Sequence, residues 1–133
     1  MTMAHGSVAR AIAGMLDDAG FLYVHTAPPS SLDCAEPIVC LQGHFERDGR
    51  LEGEERGTIG VSVLVVREQV GDAEDDAEAC ELALRRCDWE PWADCGRYRI
   101  VAMDTTSPEY VERDSSGRVV WGFEVRCTVA RSL

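Results

Sequence analysis

A chain of 133 residues can bury roughly two thirds of its unfolded surface, but halves of it would each be marginal, so one domain spanning 1–133 is expected. Thirteen basic against 24 acidic side chains give a net charge of −11, a field that opposes sequence-specific nucleic-acid binding and anionic membrane surfaces as partners. No apolar run approaches the ~20 residues of a membrane span, and MTMAHGSVARAIAGMLDDAG lacks both the early positive cluster and the long apolar stretch of an export signal.

In residues 4–19, Val8, Ile12, Met15 and Leu16 recur at helical spacing and the pattern stops at Gly20, which predicts a first helix. Phe21 to Thr26 (FLYVHT) is aromatic and β-branched and runs into Pro28-Pro29, so it reads as a strand closed by a loop. Ile38 to Leu41 after Pro37 reads as a second strand. The segment 45–57, FERDGRLEGEERG, has only Phe45 and Leu51 apolar, is expected to form no core, and reads as a solvated hairpin tip or long polar loop, with a mobile arm that orders on a neighbour as its functional reading.

Ile59, Val61, Val63 and Val65 alternate as a half-buried central strand. Gly71-Asp72 is expected to open a second helix with Asp72 as N-cap and Glu74, Asp75 and Asp76 beside the positive end of its dipole. Its core stripe is Ala73, Ala77, Cys80, Leu84 and Cys87. Asp88 to Gly96, with Trp89 and Trp92, reads as a lid over one end of the core. Tyr98 to Met103 reads as a strand, and Glu109–Arg113, a turn at 114–117 and a long strand from Arg118 read as a hairpin. In that last strand Val119, Trp121, Phe123, Val125, Cys127 and Val129 share one face. The fold class expected is α+β, a mostly antiparallel sheet with two helices packed on one face.

Catalytic chemistry finds no anchor. His5, His25 and His44 stand outside any nucleophile motif, the acidic pairs Asp17-Asp18 and Asp75-Asp76 belong to helix ends, and the glycines around 49–60 do not bridge a strand to a helix as a phosphate loop does. The six cysteines lack paired zinc spacing, Cys34-x5-Cys40-x3-His44 being the only loose cluster, and free thiols are expected. No catalytic residue, no metal and no cofactor is assigned, and the protein is expected not to be an enzyme.

The order of elements, together with Ser107-Pro108-Glu109-Tyr110, Arg113-Asp114-Ser115-Ser116-Gly117-Arg118 and the closing Phe123-Glu124-Val125, resembles the small phage tail-completion proteins: tail terminators and minor tail or head–tail joining proteins. The Trp-rich stretch 89–95 departs from that pattern. The resemblance implies a structural virion protein of a phage or prophage, resident in the host cytoplasm before assembly. It implies copies that close into a ring, commonly a hexamer, which caps the tail tube and meets the tube protein and the head connector. A ring needs one patch to meet a different patch on the next copy. Arg47, Asp48, Arg50, Glu52, Glu54, Glu55 and Arg56 form a two-signed segment suited to such a contact, and sheet edges offer strand addition. The alternative from another class is a cytoplasmic ligand-binding or regulatory α+β domain with an apolar pocket under Trp89 and Trp92.

Overall fold

The computed structural model describes residues 7–132; His5 and the first residues of the expected helix 4–19 lie outside the described residues. The elements run α1 (Ser7–Asp18), β1 (Val24–His25), β2 (Ile38–Leu51), β3 (Glu54–Arg67), α2 (Val70–Arg86), β4 (Asp94–Cys95), β5 (Tyr98–Thr105), β6 (Glu109–Arg113) and β7 (Val119–Ser132). The strands form one sheet in the order β1-β2-β3-β7-β5-β4, with β6 also paired to β7. Among the described residues only the β1–β2 pairing is parallel. This is the α+β architecture that the alternating strands and the two amphipathic helices imply.

Period-2 patterning sends Ile59, Val61, Val63 and Val65 of β3 and Phe123, Val125, Cys127 and Val129 of β7 into one buried cluster with Val8, Ile12 and Leu16 of α1 and Ala77, Cys80 and Leu84 of α2. α1 packs chiefly against β2, and α2 against β7 and β3. The opposite face carries Ser62, Glu124 and Arg126, partly or fully exposed, although Val39, Val66 and Val120 are also buried.

Several boundaries differ from the sequence expectation. α2 begins at Val70 with Gln69 as its cap and no side-chain cap bond, so Asp72 lies in the first turn and is not the N-cap. A Cβ at Gly71 would meet nothing within 4 Å, so that glycine neither needs nor imposes a break. The strand expected over 21–26 shrinks to Val24–His25 because Tyr23 takes a left-handed φ of 57°, which no bulky L residue holds inside a strand. Its carbonyl accepts from the Ile38 N–H at 3.0 Å, tying this turn to β2.

The largest correction concerns 45–57. Its ladder continues to Leu51↔Glu54, leaving a two-residue turn, Glu52-Gly53, with φ +79° at the glycine. The solvated hairpin tip therefore holds for the turn alone, and the flanks expected as a polar loop are strand. Backbone pairing to β2 on one side and β7 on the other satisfies β3's peptide groups whatever the side chains. The segment also contributes to the interior, contrary to expectation: Glu55 is buried and Phe45 packs against the core.

Candidate functional site

The two-signed segment forms the distal half of the β2–β3 hairpin, and Glu55 is its hub. With 5% of its surface exposed, Glu55 accepts from Arg47 Nη1 at 3.2 Å and from Arg131 Nε and Nη2 at 2.9 Å, and Arg50 Nη2 stands 3.6 Å away. These bonds, the Arg131 bond first, hold its carboxyl below the ordinary glutamate value against the opposing effect of burial. The Arg131 guanidinium lies 4.0 Å over the centroid of Phe45, whose ring stacks on Tyr98 at 5.7 Å. Gly57 lies under that ring: a Cβ there would sit 2.7 Å from Phe45 Cε1 and press on the Glu46 carbonyl.

The other charges of the segment also find partners within the chain. Glu54 meets Arg56 at 3.3 Å and Arg99 at 3.5 Å, and Thr58 Oγ1 donates to Asp48 at 3.0 Å. Glu52 alone among the seven has no ion pair or hydrogen bond among the described residues. The arm is therefore clamped by β7 and β5 up to the residues that follow the turn. Its outward parts are the turn, Glu52, and the Arg47 and Arg50 side chains, each 60% exposed.

The loose Cys34, Cys40 and His44 cluster does not come together. Cys40 is fully buried beneath the helices, while the His44 side chain is 84% exposed and pairs with Glu46 at 3.4 Å when protonated. Among the described residues no group of three His, Cys, Asp or Glu is placed to hold a metal. All six cysteines are free, and burial pushes the Cys40, Cys80 and Cys127 thiols up to about 12 and Cys95 to about 11, where they are inert. Trp92 packs against Gly14 of α1, its Cη2 3.0 Å from where a Cβ would stand. Beside it lies an open groove of about 530 Å³ bordered by Met15, Pro91, Asp18 and Asp88.

Sequence reasoning missed three groups. Gln42 accepts from the N–H groups of Val8 and Ala9 at 2.9 and 3.0 Å, ending α1 from 34 residues away. Glu81, buried, accepts from Arg85 at 2.8 and 2.9 Å and from Thr105 at 2.6 Å, binding α2 to β5; its i,i+4 spacing to Arg85 was the visible signal. The third group is apolar: Leu22, Tyr23, Tyr110 and Val111 remain exposed on two edges of the sheet, where nothing in the pattern separates an edge residue from a buried one.

An α+β sheet with a clamped charged arm and uncovered lateral edges defines a protein built from surfaces that meet other surfaces. The chain matches a family model described as "Bacteriophage tail terminator protein" over residues 10–131, and it belongs to that family. It is thus a structural component of a phage-type tail. Among solved structures it is similar to a chain of the "Virion of native gene transfer agent (GTA) particle", with TM-score 0.60 and 13% identity over 94% of this chain and 96% of that one. No curated protein matches it.

Proposed function

We propose that copies of this protein close into a ring, a hexamer by the resemblance, that seats on the head-proximal end of the tail tube, stops its growth and offers the head connector a docking surface. Membership of the tail terminator family across residues 10–131 carries this reading. Before assembly the chain resides in the host cytoplasm. Within the ring the arm is a rim contact. Arg47, Arg50 and Glu52 reach a neighbouring protein, with Asp48 as their second rank, while Glu54, Glu55 and Arg56 hold the arm's shape from within.

The test is deletion of the gene from the parent phage or prophage, with electron microscopy of the lysate. The expected result is overlong or uncapped tails and unjoined heads, restored by the gene supplied in trans. Tails of normal length on filled heads without the gene would refute the role.

A further inference from the structure

The turn between α1 and β1 keeps two large apolar side chains in water and holds them there firmly. Leu22 is 69% and Tyr23 65% exposed. The Phe21 N–H donates to the Leu16 carbonyl at 3.1 Å, tying the turn to the end of α1, and the Ile38 N–H donates to the Tyr23 carbonyl at 3.0 Å, tying it to β2. Tyr23 has a left-handed φ of 57°, a backbone state that an aromatic residue takes only when its surroundings impose it. The two side chains are thus presented on a fixed backbone, which lowers the entropy cost of binding there. They open onto a groove of about 640 Å³ with Phe21, Leu22 and Tyr23 in its apolar lining and Asp33, Glu36 and the Arg67–Asp76 pair in its polar lining.

The polar lining is acidic beyond what the chain neutralises. Residues 67–78, REQVGDAEDDAE, hold six acidic side chains against Arg67 alone, and 33–36 adds Asp33 and Glu36, so these two segments carry −7 of the chain's −11. They meet directly: the Glu68 N–H donates to Glu36 Oε2 at 3.0 Å, and Arg67 Nη1 donates to the Glu36 carbonyl at 2.7 Å. Arg67 is already engaged by Asp76 at 2.7 Å. Arg118, which reaches the Cys34 and Ala35 carbonyls, pairs with Asp114 at 2.8 Å. Asp33 has no ion pair or hydrogen bond, and the Glu36 carboxylate no cation, among the described residues. This lining suits a cation on an apolar stem, with carboxylates for its head and the Tyr23 ring and Leu22 for its stem. A second copy is a poor occupant, because it brings the same net charge and most of its arginines pair within their own subunit.

We propose that this groove receives a basic segment of a different virion protein, one in which an arginine or lysine neighbours an aliphatic or aromatic side chain. The cation stands over the Tyr23 ring beside Asp33 and Glu36, and its apolar neighbour covers Leu22. This gives the chemistry of a partner for the joining role above and rests on that role for the partner's presence. The acidic lining then has a use that the fold alone does not require: it selects a basic protein and turns away further copies of this chain.

The test is photo-crosslinking in assembled particles, with p-benzoylphenylalanine in place of Tyr23 and mass spectrometry of the product. The expected product joins position 23 to a different virion protein, in a stretch of net positive charge. Asp33→Asn combined with Glu36→Gln should lower its yield by roughly tenfold or more. Tyr23→Gly suits the left-handed turn while removing the ring, so it should melt no lower than the wild type. Supplied in trans to the gene deletion, Tyr23→Gly and Leu22→Asp should each restore complete particles at least tenfold less well than the wild-type gene. A cross-link only between copies of this chain, a neutral or acidic partner stretch, no cross-link in complete particles, or full complementation by both variants would each overturn the proposal. Gene deletion reads the capping role separately: normal tails without the gene remove that role, whereas a defective deletion fully rescued by Leu22→Asp and Tyr23→Gly removes the groove and leaves the role.

Discussion

Gln42→Ala tests whether a glutamine on β2 sets the start of α1. The first N–H groups of a helix have no partner within it, and here those of Val8 and Ala9 go to Gln42 Oε1 at 2.9 and 3.0 Å. Each bond contributes about 1 kcal/mol net, and because the site is half-buried, water replaces only part of what is lost, so the substitution should cost roughly 2 kcal/mol. Unfolding entropy near 2.1 cal/mol/K per residue gives about 280 cal/mol/K for this chain, and the melting temperature should fall by about 7 °C. Gln42→Glu separates cause from coincidence: its carboxylate still accepts both bonds and adds a negative charge at the positive end of the helix dipole. It should melt at or above the wild type at neutral pH and lose that advantage as pH falls through the carboxylate range. Differential scanning calorimetry reads all three proteins. A Gln42→Ala transition within a degree or so of wild type, or a Gln42→Glu that falls as far as the alanine, would refute the assignment.

Stability should fall in acid. Glu55 and Glu81 both titrate below the ordinary value of 4.5 in the folded protein, Glu55 through its Arg131 bond and Glu81 through its Arg85 bond. Their contribution is therefore complete above that value and is lost as pH drops through the lower folded one, and Glu55→Gln should flatten the plot of melting temperature against pH. Gly57→Ala puts a methyl against Phe45 and the Glu46 carbonyl; the crowding should cost roughly 1–3 kcal/mol and raise amide exchange in the arm before the core. Buried thiols should resist an aromatic disulfide reagent: native protein should release far fewer than six equivalents, and denatured protein all six.

The parts of the fold legible in the sequence are those whose burial follows a local period. Ile59 to Val65 and Phe123 to Val129 alternate, Ala77, Cys80 and Leu84 repeat every three or four residues, and each lands in the common core as its spacing requires. Illegible parts depend on distant partners. FERDGRLEGEERG looks like a loop because nothing in it announces Arg131 and Tyr98, which organise Glu55 and Phe45 from more than 40 residues away. FLYVHT looks like a full strand because the left-handed turn at Tyr23 leaves no mark in an aromatic and β-branched word. The candidate contact residues share this limit. The charged segment was visible, but its internal pairing was not, and the apolar edge residues look like any other members of a strand.

The arginine pairing also bears on how copies could meet. Arg47, Arg50 and Arg131 converge on Glu55, Arg56 and Arg99 on Glu54, Arg67 on Asp76, Arg85 on Glu81, Arg118 on Asp114 and Arg126 on Glu124. Most of the chain's cations are therefore engaged within the subunit, while the excess of acidic groups stays at its surface. Two copies approaching at a net charge of −11 repel, and a contact made of surface ion pairs would have few uncommitted arginines with which to offset that repulsion. An apolar contact has no such requirement, and screening helps it: raising salt shortens the Debye length from about 10 Å at 0.1 M to about 3 Å at 1 M and removes the repulsion without weakening apolar burial. Association that strengthens with ionic strength would therefore point to an apolar join, and association that weakens would place it at the charged arm.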